Sequence, residues 1–179
     1  MNIQLQKLLP LNNLVAVTTF VIGLAVVGTN VQAAENSALV EFKSLSPKAA
    51  LKVATEALKS CRESGYQVGI SVVDRAGVVQ VAIRDQYAGP HTIETSRRKA
   101  WTSVSFKTDT LSLAEFTKVG TEASGIRFVE NVIMAGGGVP IEAAGSLIGG
   151  VGVSGAPNGE ADHVCAEVGI ESIMDDLEF

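Results

Sequence analysis

Apolar residues recur at three- and four-residue spacing between Ala50 and Cys61: Ala50, Val53, Ala54, Ala57, Leu58 and Cys61. That is the period of a helix with one face on a core. Ser46 is placed to cap it, Pro47 suits its first turn, and Gly65 ends it, so the pattern predicts a helix over 47–64. The period then drops to two. Val68–Val73 and Val78–Arg84 read as strands, and Asp74-Arg75-Ala76-Gly77 between them as a hairpin turn with Gly in the left-handed position. A turn this short makes the pair antiparallel.

Asp85–His91 is a polar loop containing Gly89-Pro90. Thr92 or Thr95 can cap a helix running to about Phe106, with Ala100, Trp101, Val104 and Ser105 on its inner side. A shorter helical turn follows over Leu111–Val119, and another through Arg127, Phe128 and Val129. Val132-Ile133-Met134 is expected as a third strand. Val139-Pro140-Ile141 fits only a sheet edge, because proline cannot donate to a ladder. Ala144-Gly145 turns the chain into a last strand, Ser146–Ser154. A closing helix over Glu160–Asp175 would bury Ala161, Val164, Cys165, Val168 and Ile173. The expected fold is α/β (α+β): an antiparallel sheet of about five strands flanked by helices, with the N- and C-terminal helices packed on it. No internal repeat or linker divides it, so residues 46–179 form a single domain preceded by a flexible leader, 34–45.

Eight of the chain's 18 glycines lie between Gly136 and Gly155. Gly150-Val151-Gly152-Val153-Ser154-Gly155 matches the Gly-x-Gly-x-x-Gly dinucleotide fingerprint. That fingerprint needs a turn between a first strand and a helix inside a parallel unit. Here valines alternate with the glycines near the chain's end, so the motif reads as the strand itself. No nucleotide cofactor is expected, and no Walker lysine follows any glycine. The glycines serve first as places where another backbone can approach closely.

Hydrophobic residues make up 46% of the chain and charged ones 18%, the balance of a globular protein. A net charge of −5 excludes a nucleic-acid partner, since there is no basic stripe to replace counterions. Leu14–Val27 is a nearly unbroken apolar run, and Val31-Gln32-Ala33 supplies small residues where a signal peptidase reads. Residues 1–33 are therefore expected to be a signal peptide cleaved after Ala33. The address is periplasmic or secreted, with no membrane attachment after cleavage. Cys61 and Cys165 are the only cysteines. In an oxidising compartment they invite a disulfide, and on apolar helix faces they could equally be buried thiols.

His91 and His163 are the only histidines, and neither sits in a hydrolase signature. His163 lies in the first turn of the last helix with Glu160 and Glu167 as neighbours; it is a surface histidine or a weak metal ligand. His91 sits in the loop with Tyr87 and close to Arg84. Such a loop can offer a metal an axial nitrogen, a ring to stack on and a partner for a carboxylate. Arg97, Arg98 and Lys99 read as a solvated helix face unless they turn toward that loop.

Several separate motifs then agree. Val-Val-Asp-Arg-Ala-Gly-Val-Val (72–79) with Arg84, and Arg98-Lys99-Ala100-Trp101-Thr102 with Phe106 and Thr110, resemble the first half of the GlcG/HbpS-like family of haem-degrading or haem-binding domains. Gly136–Ile141, Ile148–Ala156, Asp162 and Cys165-Ala166 resemble its second half. The resemblance implies a profilin-like domain, a homo-oligomer, and haem or a related tetrapyrrole as ligand in some members. On that basis the expected function is an exported haem-binding protein that sequesters haem or iron or slowly degrades haem. His91 would be the axial ligand, Tyr87 a stacking surface, and Arg84, Arg98 and Lys99 partners for the propionates. The alternatives are an enzyme or accessory protein for a small organic acid, with Arg84 and Lys99 on the carboxylate and Glu130 or Asp74 as base, and a non-catalytic oligomeric scaffold.

Overall fold

The structure, a computed structural model, describes residues 38–177; the expected signal segment 1–33 lies outside them. From Glu41 onward the chain forms one unit with an antiparallel sheet between two helical layers. Helix α1, Pro47–Glu63, starts where its cap predicts, with the Ser46 hydroxyl accepting the Ala49 N–H at 3.2 Å. Strands β1 (Gly69–Asp74) and β2 (Val79–Arg84) make the hairpin, and β3 (Gly138–Ala143) and β4 (Ser146–Ser154) a second one. The order across the sheet is β2-β1-β4-β3, with every pairing antiparallel. Pro140 lies on the edge strand, where its missing N–H costs no ladder bond.

The sheet has four strands, not five. Val132–Met134, which follows α2 (Thr92–Phe106) and the short α3 (Thr110–Phe116), lies outside the ladder because side chains of α2 meet its backbone. Arg98 donates to the carbonyls of Asn131 at 3.2 Å and Val132 at 2.9 Å. The Ile133 N–H goes to the Thr102 hydroxyl at 3.0 Å. With those groups satisfied, the segment needs no strand partner.

The period-two pattern of β4 divides the two layers. Val151 and Val153, with Ile70 and Val72 of β1, face the main core beneath α1 and α4 (Gly159–Glu171). Gly150 and Gly152 face α2. A Cβ on Gly152 would lie 1.9 Å from the Ser96 carbonyl oxygen, and one on Gly138 would lie 2.3 Å from that of Lys99. The glycines therefore let a helix backbone rest directly on the sheet. The face α2 presents to them is small and polar: Ser96, Ala100 and Ser103, with the Ser96 and Ser71 hydroxyls 2.8 Å apart.

Helix α4 is shorter than expected and turned. It buries Asp162, Cys165, Ala166 and Gly169, whereas Val164 and Val168 are exposed. The reason is close packing on α1: a Cβ on Gly169 would lie 2.7 Å from the Val53 carbonyl oxygen, so only the small-residue face fits there. On that seam Cys61 and Cys165 are bonded, with Cα atoms 5.5 Å apart and a separation of 104 positions along the chain. Reducing this bridge is expected to lower unfolding stability by about 2–4 kcal/mol, because the unfolded chain regains the freedom of a long loop. Urea denaturation with and without reductant measures the difference, and coincident curves would show that the bridge adds nothing. Among the described residues no helix is long and apolar enough to cross a membrane.

Candidate functional site

The loop after β2 is fixed at both ends. At its start Asp85, almost fully buried, receives the Arg62 Nε at 2.7 Å and a second nitrogen of the same guanidinium. The Asp85 N–H bonds the Val68 carbonyl at 3.0 Å, and the Ala88 N–H bonds that of Asp85 at 3.1 Å. At its end the Thr92 hydroxyl closes onto the Gly89 carbonyl at 2.8 Å. Arg84 bonds the Ala88 carbonyl from the flank. Tyr87 and His91 are thus held on a pinned loop with their rings outward; Tyr87 is 80% exposed. The His91 ring lies over Gly89, where a Cβ would come within 2.6 Å of it. Among the described residues no hydrogen bond is made to that ring.

This loop forms one wall of a cleft of about 590 Å³. The opposite wall is the turn from Gly155 to Asn158 and the first turn of α4, and Lys99 and Asp162 reach it from below. Their side chains are 4% and 5% exposed. The Lys99 Nζ lies 2.7 Å from Asp162 Oδ2 and donates to the Val153 carbonyl at 2.9 Å. Asp162 Oδ1 accepts the Ala156 N–H at 2.9 Å. Burial draws the Lys99 ammonium below its ordinary pKa, against the pull of Asp162. Burial likewise raises the Asp162 carboxyl, against Lys99 and the Ala156 and Gly155 N–H groups. The surroundings match the charged pair: a carbonyl accepts from the ammonium and an N–H donates to the carboxylate.

The cleft brings together Tyr87, His91 and Lys99 from the residues singled out in the sequence. Arg84 stands beside the loop, exposed and with guanidinium donors left over. Arg98 holds the 131–132 carbonyls, and the Lys99 ammonium is committed to Asp162 and Val153. His163 does not line the cleft; its Nε2 lies 3.3 Å from Glu167 and its buried Nδ1 has no partner. Among the described residues no three His, Cys, Asp or Glu side chains converge as a metal site. Glu130 and Asp74 do not line the cleft either, and the Asp74 carboxylate accepts the Ala76 and Val78 N–H groups inside the hairpin turn.

Asp162 is the residue that reading the sequence did not place. It is 63 positions from Lys99, and no local period connects them. A usable signal exists in hindsight: a lysine inside the small polar face of a helix that must lie on glycines cannot reach solvent along that face.

Comparison with known proteins gives the fold a family. The corrinoid adenosyltransferase PduO of Salmonella typhimurium is 32% identical over 119 residues, which cover 65% of this chain and 35% of that protein. The chain thus spans about a third of the length of that relative. HbpS of Streptomyces reticuli, solved as a double mutant, superposes with a TM-score of 0.72 at 33% identity, covering 78% of this chain and 93% of that one. A structure described as a PduOC:heme complex superposes with a TM-score of 0.69 at 30% identity, covering 73% of this chain and 96% of that one. The family model described as "Haem degrading protein HbpS-like" matches residues 45–171, from the last residue before the α1 cap to the end of α4. The chain belongs to the HbpS-like family.

Proposed function

We propose that this chain is an exported haem-binding protein that takes its ligand in the cleft between the 85–91 loop and the start of α4. The observation that carries this reading is the His91 ring: exposed on a pinned loop, over a glycine, at the edge of a cleft, with no protein partner. An imidazole held in that way is suited to a metal's axial position. The cleft volume lies within the range of small-molecule sites. Tyr87 adds an exposed ring for stacking, and Arg84, on the flank of the same loop, has donors left for a propionate. When bound, haem would supply a redox-active iron; His91 would hold it through an imidazole nitrogen, with Tyr87 beside it on the same wall of the cleft. Haem in the complex of a relative at 30% identity supports the ligand class.

Export is proposed from the expected signal segment, and the Cys61–Cys165 bond supports it because such bonds persist in oxidising compartments. Haem or iron sequestration outside the cytoplasm, slow haem degradation and assembly as a homo-oligomer are part of the same reading. Titrating the mature chain with haem should give a saturable Soret shift at micromolar haem. Indifference to haem together with thermal stabilisation by small organic acids would replace this reading with the organic-acid one.

A further inference from the structure

Each wall of the cleft is tied to one end of the same covalent bond. Cys61 lies in the last turn of α1, next to Arg62. The Arg62 guanidinium holds the buried Asp85 carboxylate at the start of the His91 loop. The Cys61 carbonyl accepts the N–H of Tyr66, a residue that lines the cleft, at 2.9 Å. Cys165 lies one turn beyond Asp162 on the buried face of α4. Asp162 in turn holds the Ala156 N–H of the opposite wall at 2.9 Å. The Cys61–Cys165 bond therefore completes a path from one wall to the other.

The seam between α4 and α1 has little apolar packing at its cleft end. The buried residues of α4 are Asp162, Cys165, Ala166 and Gly169, and Gly169 meets the Val53 carbonyl and Ala57. Such small groups bury little apolar surface, and burial stabilises roughly in proportion to area. Asp162 ties the first turn to Lys99 of α2, not to α1. The larger anchors, Ile170 and Ile173, come at the far end of the helix. Val164 and Val168 add nothing there, because both are exposed.

We propose that the Cys61–Cys165 bond is a redox gate on the cleft: the oxidised chain holds the two walls together, and the dithiol chain lets the start of α4 part from the His91 loop. Closing the gate moves two electrons. The Cys61 and Cys165 thiols each give up a proton and join as an S–S bond, while the S–S bond of a disulfide oxidant breaks and leaves as two thiols. Both sulfurs are buried, so a reductant reaches the closed bond only through an opening of the seam. The gate is therefore set as the chain folds, and it records whether folding took place in an oxidising compartment. A chain that stays reduced folds with a loosened cleft and holds its ligand weakly. The link to ligand rests on the haem reading; the coupling of the bond to the walls does not.

The test compares the oxidised wild type, Cys61→Ser with Cys165→Ser, and Leu45→Ala, first without ligand. Leu45 is a core residue bonded to Ile148 near the start of β4, whereas the cleft lies at its other end, Ser154. Leu45→Ala thus weakens the fold with the bond intact. Amide exchange of Ala88 and Ala156 reads the two walls, because their N–H groups bond Asp85 and Asp162. In the double-serine variant both should exchange at least about tenfold faster than in the wild type through local opening, and in Leu45→Ala they should not. Wild type refolded in dithiothreitol should match the double-serine variant, and glutathione disulfide should restore slow exchange. Unchanged exchange in the double-serine variant, equal acceleration in Leu45→Ala, or no recovery on reoxidation would overturn the gate. Haem titration of the same proteins then reads the Soret band. Affinity should fall at least about tenfold in the double-serine variant, as the closed share of the population falls, and hold in Leu45→Ala. A double-serine variant that binds haem as tightly as the wild type would overturn the tie to ligand. Indifference to haem in all three would sink the haem reading and leave the exchange result standing.

Discussion

Gly152→Val is expected to leave no folded protein. The first atom of the new side chain would lie 1.9 Å from the Ser96 carbonyl oxygen and 2.7 Å from the Ala100 nitrogen, both backbone atoms of α2. A flexible side chain could swing away from such a contact; a helix backbone cannot without lifting off the sheet. That would undo the Ser71–Ser96 contact and the seat of Lys99 together. Overpacking usually costs about 1–3 kcal/mol, and a clash with fixed backbone belongs to the rare larger class, on the order of 5 kcal/mol. Domain stability is itself only about 5–15 kcal/mol. Soluble yield and the far-ultraviolet dichroism of the variant provide the check, and a folded Gly152→Val protein would refute the account of the glycine face. Gly145, with nothing near its missing Cβ but a φ of +72°, should respond only to the strain of its turn.

Asp162→Ala is the second large effect. It leaves the Lys99 ammonium buried with the Val153 carbonyl as its remaining partner and frees the Ala156 N–H. Removing one member of a buried pair typically costs about 3–5 kcal/mol, because the other charge stays behind without compensation. Adding Lys99→Met to Asp162→Ala should recover a large part of that loss. The sum of the single effects would then exceed the double, which is the signature of a coupled pair. Urea unfolding of the two single variants and the double variant measures it. Simple additivity would mean that the two residues do not depend on one another.

Much of the fold was legible because its signals are local. The α1 face, the Asp74–Gly77 turn, Pro140 at an edge and the alternation of Val151 and Val153 with glycines each depend on neighbours a few positions apart. What was not legible depends on partners far along the chain. Val132–Met134 has strand-like residues, yet the Arg98 and Thr102 side chains take its backbone groups. Val164 and Val168 look like core, yet the demand for small residues against α1 turns them outward. Lys99 reads as surface until α2 is seen to lie on the glycines. Of the site, the 85–91 loop was visible as a cluster of chemically useful residues. Its opposite wall and its floor were not, because the fold alone brings 154–162 beside it.

The same division applies to function. The loop offers exposed, uncommitted rings, and the floor a buried pair committed to its own neighbours. Whether the rim binds haem through His91 is the central claim, and visible absorption tests it directly. In parallel haem titrations of the wild type, His91→Ala and His163→Ala, the account predicts a saturable Soret shift for the wild type and His163→Ala, and loss of that spectrum in His91→Ala. An unchanged spectrum in His91→Ala, or its loss in His163→Ala alone, would contradict it.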